Sequence, residues 1–308
     1  MTKTEFLIDP DTQAFMIWFQ SAVVGTRPTD FPHAGGVDRL LSASFERYRW
    51  PIRRIDLVTP TGKESIFARS SFHDNAILLG KLSMGIQACL NEKSINHDEL
   101  ASWARAIMEW GGVFKRPGNG TWLDNMGNNL HGYFERALPA LISDDEQALK
   151  GVHDLRSNAG TTKIHSMVLP NFVIYDSRVA AALAWLVQSW ATSHNRAVPQ
   201  HLRFGCMPAN TQKKPRTPRT PDAVVFKYFS PAKHVSTHRK HATWNRRANW
   251  IIEQMAKAPT VNATGARLPR TWSGREIEAA LFMMGEDLTS ALSLHSQKTR
   301  SSTKSIPC

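Results

Sequence analysis

The sequence predicts a mainly α-helical fold with one small β-hairpin. Three observations carry this expectation. Apolar residues recur at three- and four-residue spacing along most of the chain, capping residues stand in front of those runs, and only one stretch is β-prone on both sides of a turn.

The elements follow in order. Asp9 caps a helix whose first position is Pro10, and the run AFMIWFQSAVV ends near Gly25. VDRLLSASFERYRW carries Val37, Leu40, Leu41, Phe45 and Tyr48 at helical spacing and is expected as a second helix. In RRIDLVTPTGKESIFAR, two β-prone pieces flank TPTGKE, the pattern of a hairpin. Ser70 or Ser71 then caps FHDNAILLGKLSMGIQACL, and Asn96 or Asp98 starts HDELASWARAIMEW, which stops at Gly111–Gly112. After the Gly/Pro-rich loop FKRPGNGTW, LDNMGNNLHGYFERALPALI reads as helical, and a helix is expected from about Asp144 to Leu155. Val179, Leu183, Leu186, Val187 and Trp190 mark one face of a long helix that opens after Asp176. Beyond a proline-rich stretch, AVVFKYF is expected as a short strand. HVSTHRKHATWNRRANWIIEQMAKA and SGREIEAALFMMGEDLTSAL are expected as helices, and HSQKTRSSTKSIPC as a disordered tail.

The 308 residues suffice for one large domain or two modest ones. No apolar run approaches the roughly 20 residues of a membrane span, and the first residues lack a basic-then-apolar leader pattern. Three scattered cysteines, Cys89, Cys206 and Cys308, form neither a disulfide framework nor a metal knuckle. A cytoplasmic monomer with no membrane partner, no cofactor and no metal is the expectation.

Charge is the sharpest compositional signal. The net charge is +12, and residues 201–250 hold eleven Lys or Arg against one acid, Asp222. A concentrated basic block is the electrostatic footprint of a polyanion binder, most often nucleic acid.

The chemistry is expected in 159-AGTTKIHSMVLPNFVIYDSRVAAALAWLV-187. Gly160 is expected to take a positive φ in a tight turn, leaving amide N–H groups free at a helix N-terminus to hold phosphate, with Arg156 and Lys163 as counter-charge. Aspartate in front of an apolar helix is ordinarily an N-cap. In a basic protein, a screened and ionised carboxylate is also suited to stabilising the sugar cation formed as an N-glycosidic bond breaks.

DLRSNAGTTKI and VIYDSRV resemble the core motif of the helix-hairpin-helix DNA glycosylases, a glycine-containing hairpin followed by a "V-P-V-D-x-H/R-V"-like segment. The resemblance covers about 50 residues. It implies a glycosylase-like helical fold in which Asp176 is the catalytic aspartate and Gly160 the second hairpin glycine. Arg156, Asn158, Gly160, Thr161, Thr162 and Arg178 would then meet DNA around that core. Asn158 stands where the family has its first hairpin glycine. The lysine of members that also cut the strand corresponds to Thr162, with Lys163 one residue later. One residue turns a helical side chain by about 100°, so base removal without strand cleavage is expected, with Lys163 kept only as a candidate nucleophile.

The resulting organisation is a helical part over 1–140, a helix-hairpin-helix-like catalytic core over 141–198, and a basic Pro-rich loop over 199–222. A basic helical part over 223–295 and a tail over 296–308 complete it. Lys213, Lys214, Arg216, Arg219, Arg239 and Lys240 are expected on double-stranded DNA. Trp122, Asn125, Asn128, His131 and Tyr133 would line a pocket for an extruded base. His234, His238 and His241 share one helical face, a pattern that fits phosphate contacts better than zinc because no acidic or cysteine ligand lies near. The rival readings are a non-catalytic DNA-binding protein of the same fold and a metal-dependent nuclease built on HVSTHRKHATWN.

Overall fold

A computed structural model describes residues 1–115, 118–209, 216–230, 234–257 and 271–293. The described residues are mainly helical, with two small antiparallel sheets among them. Among the described residues no helix is long and apolar enough to cross a membrane. The chain divides into two compact units.

The first unit comprises Met1–Phe6, Tyr48–Asp176 and Ser230–Trp250. The expected hairpin is present as β3 (Ile55–Thr59) paired with β4 (Gly62–Ile66), Thr59 opposite Gly62. Helix α4 (Phe72–Asn91) starts at a reciprocal cap in which Ser71 and Asp74 satisfy each other's backbone N–H. Asn96 caps α5 (His97–Trp110), which ends at Gly111. Helices α6 (Asn119–Met126) and α7 (Leu130–Ile142) follow, split by a 3-10 turn at Gly127–Asn129. The short helix α8 (Thr161–Val168) packs against α4 and α5. Its terminal Met167 carbonyl accepts hydrogen bonds from Ser83 (2.6 Å) and Gln87 (2.7 Å). Leu82, Ile86, Trp103, Ile107, Phe134 and Ile164 lie in its buried core.

The second unit comprises Leu7–Arg47, Ser177–Phe229 and the chain from Ile251. Asp9 accepts from the amides of Asp11 and Thr12 and so caps α2 (Pro10–Val23). Helix α2 packs against α9 (Ser177–Ser193), with Phe15 meeting the Trp190 ring. Helix α11 (Gly274–Met284) lies against α9 and α3 (Leu41–Glu46). Helix α10 (Val235–Ala256) belongs to the first unit as far as Trp250.

Besides the split between α6 and α7 and the end of the SGREIEAALFMMGEDLTSAL helix at Met284, three elements differ from the expected pattern. The helix expected over 37–50 shrinks to α3, because Phe31–His33 (β1) and Gly36–Asp38 (β2) form a second hairpin through Ala34–Gly35. Gly36 supplies the φ of +138° that its turn requires. Asp38 then faces inward, accepting from Ser44 (2.7 Å) and the Arg47 guanidinium. The helix expected over 144–155 is a 3-10 turn, Glu146–Gly151. Gly151 disfavours continuation, and Arg239 takes up the carbonyls of Leu149, Lys150 and Val152. AVVFKYF forms no strand beyond an isolated bridge between Cys206 and Tyr228. The tail expected over 296–308 lies outside the described residues.

Candidate active site

The site grows from the turn Ser157–Gly160 and from the extended link that ends at Asp176. In the turn, Asn158 acts as a local cap. Its Oδ1 accepts from the amides of Gly160 (2.7 Å) and Thr161 (3.1 Å), while Thr161 Oγ1 accepts from the Asn158 amide (3.1 Å). The Thr162 and Lys163 amides donate to the carbonyls of Asn158 and Gly160. The first amides of α8 are therefore satisfied inside the chain, and the expected phosphate cradle of free N–H groups is not formed.

Gly160 has φ −82°, not the positive value expected of it. Glycine is required there by close approach instead. A Cβ would lie 1.9 Å from Asn119 Nδ2. Asn119 sits under the turn, its Oδ1 accepting from Asn158 Nδ2 (3.0 Å) and from the Arg156 guanidinium (3.3 Å). Arg156 lies over the Trp122 ring at 5.4 Å, and Trp122 meets Tyr133 edge-on at 5.3 Å. Tyr133 donates to the Arg156 carbonyl (2.9 Å), so His165 Nε2 donates to the Tyr133 oxygen at 3.3 Å. Burial pushes the His165 imidazole down to about 3 and raises the Tyr133 phenol.

Lys163 runs from α8 across Gly111. A Cβ at Gly111 would lie 2.1 Å from Lys163 Cδ, so the glycine that ends α5 also clears the lane for the lysine stem. The Lys163 ammonium donates to the Ala159 carbonyl (3.0 Å) and faces Asp176 Oδ2 at 3.7 Å. Both residues are nearly buried, at 5% and 9% exposure. The one-residue offset therefore does not turn Lys163 away from the aspartate. Thr162, at the position the resemblance singles out, is fully buried.

The structure sorts the remaining expected residues. Arg156 and Asn158 are half-exposed beside the pair, whereas Gly160, Thr161 and Thr162 are buried and out of reach of a phosphate. Of the residues expected to line a base pocket, Trp122 is half-exposed beside Arg156, whereas Tyr133 is fully buried beneath it. Asn125 and Asn128 are exposed, and His131 pairs with Glu135 at 3.6 Å.

The basic block is not one outward surface. Arg219 is buried and donates to the carbonyls of Gly285 and Glu286. Arg178 pairs with Glu286 (3.1 Å) over the Phe282 ring. Arg239 is spent on the 3-10 turn, and Arg247 pairs with Glu146 (2.7 Å). Arg216 and Lys240 are exposed, and Lys213 and Lys214 lie outside the described residues.

His238 and His241 do not face phosphate either. Both are buried and hydrogen-bonded to Ser157 or Tyr175, and His234 is the exposed member of the three. The signal missed in the sequence is the glycine flanking of Asn119 and of Lys163's lane, which reads locally only as loop and helix stop. No protein-family profile, curated protein or solved structure matches this chain.

Proposed function

We propose that the chain is a DNA glycosylase of the helix-hairpin-helix kind, which removes a damaged or modified base from double-stranded DNA. The observation that carries this reading is the nearly buried Lys163–Asp176 pair, set at the foot of a turn in which Asn158 and Ala159 are half-exposed, with half-exposed Arg156 just before it. In this reading Asp176 stabilises the oxocarbenium-like sugar and orients the attacking water. Trp122, with Arg156 over its ring, offers a stacking surface for an extruded base. Lys163 donates to the Ala159 carbonyl and faces Asp176, so its nitrogen is engaged by both rather than free to attack a sugar. Base loss without strand cleavage follows, leaving an abasic site. The role would be base-excision repair or defence against phage DNA with modified bases.

The test is incubation with DNA carrying damaged bases and with phage DNA rich in hypermodified cytosine. The reading expects strand breaks that appear only after alkali. Breaks without alkali, trapped to the protein by borohydride, would make Lys163 the nucleophile. A second reading is favoured by the near-complete burial of the pair: a structural ion pair in a non-catalytic DNA-binding protein. DNA binding with no base released from any substrate would support it.

A further inference from the structure

The buried face of α10 is unusual in being polar. His238, His241, Asn245 and Asn249 are all buried, along one stripe at spacings of three and four. Buried polar groups need partners, and these find theirs in two short segments. His238 Nδ1–H donates to the Ser157 carbonyl at 2.8 Å. His241 Nε2–H donates to the Tyr175 carbonyl at 3.1 Å, which leaves Nδ1 unprotonated to accept from Ser157 Oγ–H at 2.9 Å. Asn245 donates to the Val173 carbonyl (3.2 Å), and Asn249 accepts from the Val173 amide (2.7 Å).

The two segments are those that carry the ion pair. Ser157 begins the turn that leads into Lys163, and Tyr175 immediately precedes Asp176. His241 is the one side chain of the stripe that bonds to both. We propose that His241 is a positioning residue. Its neutral ring, held in one tautomer, ties the Ser157 turn to the Tyr175 carbonyl and so sets where the Asp176 carboxylate stands relative to Lys163. As a statement about catalysis this rests on the glycosylase reading; as a statement about geometry it does not.

Four variants test it: His241→Leu, which removes both bonds; His241→Gln, which keeps a donor for Tyr175; Ser157→Ala; and the core control Leu141→Ala. Each is measured for thermal midpoint, for the carboxyl ¹³C resonance of Asp176 assigned through Asp176→Asn, and for single-turnover excision with DNA affinity followed separately. His241→Leu is expected to move the Asp176 resonance and to slow single-turnover excision on the order of a hundredfold at unchanged DNA affinity. His241→Gln recovers most of that loss, and Ser157→Ala falls between. Leu141→Ala loses stability and leaves both readouts in place.

If His241→Leu does not fold, the same ordering is read from Ser157→Ala and His241→Gln against wild type. An Asp176 resonance and excision rate that follow only the thermal midpoint across all four variants overturn the proposal. If the wild-type protein releases no base, the glycosylase reading fails by itself, and the Asp176 resonance alone decides whether His241 positions the carboxylate.

Discussion

At the scale of single residues, the site depends on side chains that must lie where glycines make room. A methyl group at Gly111 would occupy the path of the Lys163 stem. Gly111→Ala is therefore expected to displace Lys163 from Asp176 and to destabilise the fold by about 1–3 kcal/mol, the usual cost of overpacking. Thermal unfolding checks the second effect, and a change in the Lys163 ammonium resonance the first. A variant that melts like wild type with that resonance unmoved would mean that the stem relaxes without cost.

Asp176 itself was legible in the sequence as an aspartate opening an apolar helix. Its partner was legible only as an alternative, because the side-chain direction on an eight-residue helix depends on its turn. That turn is built by Asn158 and Asn119, which stand 39 positions apart in the chain.

At the scale of elements, local chemistry was readable where it is local. Asp9, Ser71 and Asn96 cap the helices they precede, and TPTGKE closes the β3–β4 hairpin. Reading failed where a distant group decides. Arg239 gathers the carbonyls that end the Glu146–Gly151 turn, and α10 turns His238 and His241 inward although they stand in a stretch rich in Lys and Arg that reads as an outer face.

Arg246 on α10 is the extreme case. It is buried against the Trp250 ring at 5.4 Å, and among the described residues none of its guanidinium nitrogens has a hydrogen-bond partner. Burial pulls its pKa down, opposed by the acids Asp144–Glu146. Replacing an unpaired buried charge by an apolar chain of similar length relieves desolvation, so Arg246→Met is expected to stabilise the protein by about 1–3 kcal/mol. A lower melting temperature would show instead that the field of those acids holds the guanidinium favourably.

At the scale of the whole molecule, two bulk properties follow. His165 and His241 are buried as neutral rings, held at about 3 chiefly by burial. In the unfolded chain they titrate near 6.5. Between those values the unfolded state binds protons that the folded state refuses. Stability is therefore full above about pH 6.5 and is lost as the pH falls toward 3, by about 1.4 kcal/mol per pH unit for each histidine. Urea midpoints from pH 7 to pH 4.5 should drop steeply, and a flat profile would place both rings in contact with water.

The second property is salt dependence. Four of the eleven cations in 201–250 are withdrawn from the surface: Arg219 and Arg246 are buried, and Arg239 and Arg247 each make more than one internal hydrogen bond. The block then contributes a slope of log affinity against log salt no steeper than about −6 on duplex DNA. A slope near −10 from the block alone would require those four to reach phosphate.

Release of free base under single-turnover conditions, comparing wild type with Asp176→Asn on the same modified duplex, tests the role of Asp176 itself. Both proteins must first be shown to melt and to bind DNA alike. Asp176 as the group that stabilises the sugar cation predicts base release by the wild type and a loss of at least about a hundredfold in the variant. Equal release by the two proteins would contradict that role and leave Asp176 as the structural partner of Lys163.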